Sequence, residues 1–329
     1  MPSSCVETFA DPVPYQSAIR ASNLEVFPTA KGKFHAELTK INLNRLWMQR
    51  AHESLPRIFV GTVGVDRQVI GFLASPDQPA MQHRGMNVPV GDIVVSNHEL
   101  VHRRTEAQCD WGSMSLKHDD LDAACLAIAG RDFSGTSHKP VVRPSEHLTS
   151  RLLKLHELAG QIAKATPALL QIPEVTRALE NTLVHLMVRC LMEGEFAEMT
   201  PGGRRHDAIV ARFEEFLEAN AGRPIYLAEI CAAIGVAERT LRICCEQHVG
   251  MGPIRYLFLR RMHLVRYALL RADSSKTTVT RIATDHGFWE LGRFSVSYRS
   301  LFGETPSETL RQTPHVGLQS LKRPSSLLH

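Results

Sequence analysis

The sequence predicts an α+β protein in which a β-rich N-terminal part is followed by helices. Two observations predict this order. Between Lys33 and Leu116, short apolar and β-branched runs are separated by Gly, Pro, Asp and Asn, which is typical of strands joined by turns. From Glu146 onward, apolar residues recur at intervals of three and four, the period of amphipathic helices. A chain of 329 residues is long enough for two domains with separate cores.

The composition argues against a membrane protein and against a disulfide-stabilised one. Hydrophobic residues make up 43% and charged residues 22% of the chain, and no window approaches the roughly 18 apolar residues of a membrane span. The first residues lack the basic and apolar stretches of a secretory signal. The seven cysteines include no CxxC pair, which is typical of reduced thiols. We therefore expect a cytoplasmic protein.

Positive charge is concentrated in the C-terminal part. From Arg204 to the end, 18 Lys and Arg residues stand against 12 Asp and Glu residues, whereas the preceding part has 20 against 22. An excess of basic residues in one region is where a polyanion such as DNA binds.

Residues 1–145 are expected to form the β-rich domain, as a small sandwich or barrel with a ligand cavity. The segment FHAELTKINLNRLWM alternates apolar and polar residues as a half-buried strand does. Residues up to about Glu25 are expected to be a loose arm. Trp47, Arg50 and Trp111 are candidates for the lining of the cavity.

One motif in this region suggests an alternative function. His98-Glu99-Leu100-Val101-His102 matches HExxH, which on a helix places two histidines one turn apart to bind zinc, with the glutamate as general base. The motif follows DIVVSN, however, which indicates a strand that runs into a turn. We therefore favour a polar hairpin without a metal, and keep a metal-dependent enzyme that uses His98, Glu99 and His102 as the alternative.

Residues 146–199 are expected to be helical. One stripe begins at Leu148 and another at Ile172, and the second stripe is close to a 3.5-residue repeat, the spacing of a helix that packs against a partner helix. Two interpretations stay open, a dimer contact and a helical pair that covers the sheet. Residues 200–206, which contain Thr200-Pro201-Gly202-Gly203, are expected to be a linker.

Residues 207–312 contain two helix-turn-helix patterns. The first has a helix from Leu227, a turn at Gly235 and a second helix with Leu241, Cys244 and Cys245 on its apolar face. The second runs from Thr278 to Arg311 and turns at His286-Gly287. A glycine can adopt the left-handed conformation that ends a helix and redirects the chain. Phe294, Tyr298, Leu301 and Phe302 then form the apolar stripe of the last long helix. In such a unit the second helix is free to enter the DNA major groove.

A long helix that begins at Pro253 separates the two patterns. With some 18 residues it would span about 27 Å. Successive major grooves on one face of DNA lie about 34 Å apart. The spacing therefore favours two reading helices that are used on one DNA molecule.

The region from Leu227 to Arg311 resembles the DNA-binding domain of the AraC/XylS family of transcription regulators. The residues that carry the resemblance are Leu227-Ala228-Glu229-Ile230, Gly235-Val236, Arg239-Thr240-Leu241, Gly250, Pro253, Tyr256-Leu257, Arg260, Ile282-Ala283, Gly287-Phe288, Arg293-Phe294-Ser295, Tyr298-Arg299, Phe302-Gly303 and Thr305-Pro306-Ser307. The segments GFWELGRF and GKFHAEL also resemble the branch that contains the ethanolamine-utilisation regulator. Ala237, where the family usually has Ser, is a departure that removes a capping hydroxyl.

The resemblance implies roles for exposed residues of the two reading helices. The base-reading positions are Arg239, Arg242, Ile243, Gly292, Arg293 and Val296. Arginine can bond guanine O6 and N7 with two hydrogen bonds, and glycine permits close approach of the backbone. Thr240, Ser295 and Arg299 are expected to contact phosphates. Trp289 at the second turn is expected to pack rather than to contact bases.

The resemblance also implies the remaining partners. It suggests a cupin-like N-terminal effector domain that binds a small molecule, a homodimer formed through the helical segment, binding to double-stranded promoter DNA, and contact with RNA polymerase. Activation is the commoner outcome in the family. No cofactor, metal or catalytic residue is expected, and residues 313–329 are expected to be disordered.

Overall fold

The structure is a computed structural model that describes residues 2–64, 66–96, 100–133, 139–220 and 223–312. Antiparallel strands make up most of its N-terminal part. They are β1 (Ser3–Phe9), β2 (Ser22–Pro28), β3 (Ala36–Leu43), β4 (Leu46–Glu53), β5 (Arg57–Val63), β6 (Arg67–Leu73), β7 (Met81–His83), β8 (Met86–Val88), β9 (Ile93–Ser96), β10 (Val101–Thr105), β11 (Cys109–Lys117), β12 (Val141–Arg143) and β13 (Glu195–Ala197).

Helices accompany the strands and then replace them toward the C-terminus. They are α1 (Pro12–Ala18), α2 (His118–Ala129), α3 (Glu146–Ala165), α4 (Pro173–Glu193), α5 (Pro201–Ala219), α6 (Leu227–Ile234), α7 (Glu238–Val249), α8 (Pro253–Arg271), α9 (Val279–Asp285), α10 (Leu291–Phe302) and α11 (Pro306–Arg311), with a 3-10 turn at Pro167–Gln171 between α3 and α4. Over the part of the chain that the structure describes, no helix combines the length and apolarity needed to cross a membrane. The predicted α+β class is confirmed.

Two sheets stack against each other. The eight-stranded sheet has the order β1-β3-β4-β11-β6-β9-β12-β13, and the five-stranded sheet has the order β2-β5-β10-β7-β8. Apolar side chains from both sheets meet between them, among them Val26, Leu38, Phe59, Leu73 and Trp111. The other face of the eight-stranded sheet is covered by α2, α3 and α4. Because side chains alternate along a strand, each strand of this sheet contributes to both layers.

The segment predicted as one strand is a hairpin of two. β3 pairs with β4 from Ala36 opposite Glu53 to Leu43 opposite Leu46. Asn44 at the turn has a φ of +47°, a left-handed conformation that asparagine tolerates better than most residues. Alternation alone did not reveal the turn because the apolar and polar period continues on both sides of it.

The first 25 residues are not a loose arm, so that expectation was wrong. β1 forms the edge of the eight-stranded sheet, where Ser3 lies opposite Asn42 and Phe9 opposite Ala36. Tyr15 on α1 is completely buried, and its hydroxyl donates to the carboxylate of Glu53. Such segments are fixed by partners distant in sequence, which local patterns do not show.

The two long helices α3 and α4 lie within the segment 146–199 that was predicted to be helical, and its end, Glu195–Ala197, is instead the strand β13. Their apolar stripes pack against the eight-stranded sheet, with Leu152, Leu183 and Leu186 almost fully buried. The two helices therefore cover the sheet of their own chain, which is one of the two interpretations left open by the sequence. Ile172, at the start of the second stripe, remains 41% exposed.

The predicted linker 200–206 is helical instead. α5 begins at Pro201, and the Thr200 hydroxyl accepts a hydrogen bond from the Gly203 amide at 3.0 Å. Thr at the N-cap followed by Pro is a helix start signal, which outweighs the two glycines. The segment thus joins the two parts of the chain without a flexible break.

The described end of the HExxH motif, Val101 and His102, lies on a strand and not on the helix that a zinc site of this type requires. His102 lies on β10, where it is buried and pairs with Val60 of β5. His98 and Glu99 fall outside the described residues. Among the described residues, no group of three His, Cys, Asp or Glu side chains is arranged to hold a metal ion. A side chain on a strand cannot supply the i, i+4 helical geometry, so the structure does not support the enzyme alternative.

The C-terminal helices dock onto the outer face of the five-stranded sheet. Phe27, Ile58 and Val60 of this sheet share an apolar cluster with Val210 and Phe213 of α5. Ionic contacts surround this cluster. Arg260 of α8 bonds Glu214 of α5 at 2.6 Å, His102 Nε2 lies 3.3 Å from the other oxygen of Glu214, and Arg84 pairs with Asp207.

A single carboxylate of α4 holds the β3–β4 turn. Glu180 is 4% exposed, and its Oε1 accepts the backbone N–H groups of Arg45 at 2.7 Å and Leu46 at 2.9 Å. We expect Glu180→Ala to lower the free energy of unfolding by about 3 kcal/mol, because two buried donors lose a charged acceptor. Urea unfolding would measure this. Glu174→Ala, an exposed site on the same helix, should change it by less than about 0.5 kcal/mol.

Stability should fall on mild acidification, partly through His156 of α3. This side chain is fully buried against Phe72, and burial followed by the charge of Arg50 lowers the pKa of His156 to about 3. The unfolded chain takes up the proton below a pH of about 6.5, so the stability due to neutral His156 is complete above that pH and declines toward pH 3.

His156→Leu should therefore reduce the slope of unfolding free energy against pH by up to about 1.4 kcal/mol per pH unit below pH 6.5. Chemical denaturation between pH 4.5 and 7.5 would measure the slope. His147→Leu, an exposed position on the same helix, provides the matched control. An unchanged slope in His156→Leu would show that this histidine is already protonated in the fold.

Candidate nucleic-acid interface

The first helix-turn-helix unit consists of α6 and α7. Gly235 ends α6 with a φ of +67°, and its N–H bonds the carbonyl of Cys231. Ala237 occupies the N-cap of α7 and makes no side-chain capping bond, as its replacement of serine predicts. The start of α7 therefore depends on packing rather than on a cap.

The two faces of α7 are sharply different. Leu241, Cys244 and Cys245 are all fully buried beside α5 and α8, which confirms the predicted apolar face. Arg239, Arg242 and Ile243 are exposed, with Ile243 at 41%. Thr240, expected at a phosphate, is half-buried. The expected base-reading residues of α7 thus share one solvent-facing surface.

The second unit consists of α9 and α10. Thr278 caps α9 by accepting from the Arg281 amide at 3.2 Å. Gly287 turns the chain with a φ of +80°, and Phe288 then inserts into the angle between the helices. The Phe288 ring centroid lies 5.0 Å from that of Phe294 and 6.0 Å from that of Phe258. Aromatic contacts thereby fix the angle at which α10 leaves the turn.

The outward face of α10 carries the remaining candidates. Phe294 and Tyr298 are buried, and the Tyr298 hydroxyl donates to Thr309 of α11 at 2.9 Å. On the opposite face, Val296 is 72% exposed and the Arg293 side chain is 85% exposed. The other candidates on this helix are also exposed, namely Gly292, Ser295 and Arg299.

Helix α8 holds the two units together. Tyr256 and Leu257 near its start belong to the core of the first unit, whereas Val265 and Leu269 near its end belong to the core of the second. With 19 residues, α8 is about 28 Å long. The two reading helices are therefore attached to one rigid rod rather than to a flexible linker.

Each face also carries a carboxylate that pairs with a candidate arginine. Arg242 lies 3.5 Å from Glu238, and Arg293 lies 3.0 Å from Glu290. All four side chains are more than half exposed, so these pairs contribute little to stability. A guanine edge or a phosphate can replace the carboxylates at small cost.

The structure corrects the expectation for Trp289. Its side chain is 69% exposed at the turn that precedes α10. Phe288 fills the packing position beside it, so the indole has no place in the core. The sequence signal was present in the adjacent pair of aromatic residues, because only one of them can occupy the angle of a tight turn.

The three candidates for the ligand cavity do not converge. Trp111 is buried between the sheets, where its indole nitrogen donates to Glu53 at 2.7 Å. Arg50 points to the opposite face of the eight-stranded sheet, where its Cδ lies close to Gly160 of α3. Trp47 is half-buried and stacks on Arg67, whose guanidinium carbon is 4.0 Å from the indole centroid. Alternation along β4 separates Trp47 from Arg50, so the expectation of one shared lining was wrong.

Comparison with known proteins agrees with the geometry of the C-terminal helices. Residues 230–312 match the family model described as a helix-turn-helix domain. The chain is 37% identical over 136 residues to the probable thc operon regulatory protein of Rhodococcus erythropolis. The matched stretch covers 39% of this chain and 41% of that protein. It is 37% identical over 99 residues to XylDLEGF operon transcriptional activator 2 of Pseudomonas putida. This matched stretch covers 30% of this chain and 63% of that protein.

These matches confirm the predicted helix-turn-helix region, and the matched relatives are named as operon regulators and transcriptional activators. The chain spans less than two thirds of the length of each of these relatives. Among solved structures, the AraC-like transcriptional activator CuxR covers 85% of this chain and 100% of its own at 16% identity and a TM-score of 0.42.

Gly292 offers a way to separate DNA contact from stability. A Cβ at this position would meet no atom within 4 Å, and the residue lies in the first turn of α10. We expect Gly292→Ala to leave stability unchanged or raise it by up to about 1 kcal/mol. If the backbone at Gly292 approaches DNA closely, specific DNA affinity should nevertheless fall. Thermal unfolding and a mobility-shift titration of one protein preparation would test both.

Gly287→Ala is the matched contrast for that variant. The φ of Gly287 is strained for alanine, and a Cβ would lie 3.0 Å from Pro224 Cβ. Gly287→Ala should therefore lower thermal stability, whereas Gly292→Ala should not. Equal DNA affinity of Gly292→Ala and the unchanged protein would remove Gly292 from the contact surface.

Proposed function

We propose that this protein is a sequence-specific DNA-binding transcription regulator that reads two successive major grooves with α7 and α10. The observation that carries the proposal is the pair of exposed N-terminal faces on these helices, joined through the shared core of α8. Relatives named as operon activators favour activation as the outcome.

The proposed contacts divide into two groups. Arg239, Arg242, Ile243, Gly292, Arg293 and Val296 read base edges, and Thr240, Ser295 and Arg299 hold phosphates. A bidentate arginine–guanine contact discriminates between bases by about 1–3 kcal/mol. Phosphate contacts contribute affinity that is independent of sequence and sensitive to salt.

We base the proposed regulation by a small-molecule effector on the way the two parts of the chain meet. The DNA-binding helices pack directly on the five-stranded sheet, through Phe27, Ile58 and Val60 and through the Arg260–Glu214 pair. A ligand that changes this sheet would change the position or freedom of α5 and α8. Such a ligand can change DNA affinity only by as much as it binds one arrangement of α5 and α8 on the sheet more tightly than another.

The remaining partners extend the same proposal. A homodimer is proposed through α3 and α4, and since their apolar stripes are used within the chain, the contact would fall on their outward face, where Leu158 is 48% exposed. Contact with RNA polymerase, a cytoplasmic location and the branch that includes the ethanolamine-utilisation regulator are proposed on the resemblance of the sequence alone. The exposed Trp289 is available to the DNA or the polymerase.

Arg293→Ala tests the central proposal. A DNA site is first selected from a random pool with the full chain, and affinities for that site and for random DNA are then compared. We expect the affinity for the selected site to fall by about 1–3 kcal/mol, and that for random DNA to fall much less. Arg177→Ala, which removes an exposed arginine from α4, should alter neither affinity.

An equal loss on both DNAs would assign Arg293 to a phosphate contact. The dependence of binding on salt distinguishes the two roles. Each lost phosphate contact lowers the salt slope by about one unit, so a shallower slope in Arg293→Ala indicates a phosphate contact. If no sequence is enriched from the random pool, the proposed function is wrong.

A further inference from the structure

The inner face of the five-stranded sheet carries two arginines in a place where apolar residues are expected. β5 and β10 pair so that Arg57 lies opposite Thr105 and Phe59 lies opposite Arg103. Phe59 belongs to the apolar layer between the sheets, so Arg57 and Arg103 point into the same layer. As diagonal neighbours on one face, their positions are roughly 7–8 Å apart.

Arg57 is completely buried and only partly satisfied. Its Nε donates to Glu53, and its guanidinium carbon lies 3.3 Å from the centroid of the Phe59 ring. Within the described part of the chain, its Nη1 and Nη2 atoms have no hydrogen-bond partner. Glu53 is already shared, because its other oxygen accepts from Tyr15 and Trp111.

Arg103 has no carboxylate of its own. Its side chain crosses to the eight-stranded sheet, where Nη1 lies 3.2 Å from the position that a Cβ at Gly71 would take. It makes no hydrogen bond or ion pair to any residue that the structure describes, and its Nε is buried without a partner. Burial, followed by the charge of Arg57, lowers the pKa of Arg103 to about 10.

Two cations therefore lie near a single carboxylate inside the sandwich, and only Arg57 pairs with it. An unpaired buried charge is costly, and such groups are retained where an opposite charge is supplied. Arg103 is half-buried although it points between the sheets, and Val69 on the facing strand is half-buried as well. Solvent therefore reaches this part of the layer between the sheets.

We propose that Arg57 and Arg103 form the binding site for the carboxylate group of a small organic acid, held between the two sheets. The free N–H groups of a guanidinium match the two oxygens of a carboxylate. Leu73, Met81 and Trp111 in the surrounding layer suit an apolar body on that acid. We assign this acid as the effector of the regulator, an assignment that rests on the proposed function. A protonated amine would be repelled by both arginines.

The same strands connect this site to the DNA-binding helices. On β5, Arg57 and Phe59 point inward, while Ile58 and Val60 pack on the C-terminal helices. On β10, the residue before the inward Arg103 is His102, which faces outward toward Glu214 of α5. A carboxylate that draws Arg57 and Arg103 together would shift these strands. Because the neighbouring residues Ile58, Val60 and His102 face outward, the shift would reach the docking surface, the outer face on which the C-terminal helices pack.

Thermal unfolding of the purified full chain tests the site without DNA. The probes are acetate, butyrate, hexanoate and phenylacetate, each compared with its neutral amide at constant ionic strength and pH 7.5. We expect the larger acids to raise the Tm by about 3 °C or more at saturating concentration and the amides to leave it unchanged. If no acid exceeds its amide, the proposal is wrong.

Arg103→Met distinguishes a binding role from a structural one. Because Arg103 has no partner among the described residues, the variant should unfold at the same temperature or higher without ligand, and its response to the acids should weaken at least tenfold. A lower Tm without ligand and an undiminished response would overturn the assignment. Arg103→Lys, which keeps the charge but not the fork, should retain a weakened response, and Arg151→Met, an exposed site on α3, should respond fully.

A final comparison separates this inference from the proposed function. Affinity for the selected DNA site is measured with and without the most effective acid, in the unchanged chain and in Arg103→Met. The acid should alter the affinity of the former only. If the acid binds but no DNA site is selected, the regulator proposal fails and the carboxylate site stands. If the protein binds the selected DNA site but does not respond to the acids, the carboxylate site is wrong and the regulator proposal stands.

Discussion

The arrangement of the protein depends on helix α8, which is packed on three sides at once. Tyr256 and Leu257 complete the core of the first helix-turn-helix unit, and Val265 and Leu269 complete that of the second. The third side meets the N-terminal part, where His263 Nε2 lies 3.2 Å from the Pro28 carbonyl oxygen and Arg266, which also pairs with Glu304 next to α11, pairs with Asp11. Because these contacts share one rigid element, the reading helices cannot be displaced independently of the sheet.

The buried Arg260–Glu214 pair shows how this junction balances its charges. Burial acts to raise the pKa of Glu214, but the charge of Arg260 and the proximity of His102 outweigh it, so the pKa stays below its usual value. Removing one partner of such a pair leaves a buried charge, which is strongly destabilising. The junction is therefore specific in geometry, and a strand movement of small size is enough to disturb it.

The sequence predicted the C-terminal half in detail because its signals are local. Gly235, Gly287 and the apolar stripe through Phe294 and Tyr298 each specify a turn or a face within a few residues. The N-terminal half was predicted only as a series of strands. The places of β1 and Tyr15 depend on partners tens of residues away, and the pairing of Arg57 with Glu53 at the end of β4 has no periodic signature. For the same reason Arg57 and Arg103 were not among the predicted cavity residues, whereas Trp111, which was, lies beside them.

Alternation along β5 and β10 gives the two halves a physical connection. A strand that is buried on both faces must place every second side chain in a different core, so no inward residue can move without its outward neighbours. Inward, these strands carry Arg57, which pairs with Glu53, and Arg103, which has no ion-pair partner among the described residues; outward they carry Ile58, Val60 and His102 against α5. A ligand of opposite charge has its largest effect at such a place, because the gain on pairing is largest where water is excluded. The two inward arginines and the surface on which the C-terminal helices pack therefore belong to the same two strands.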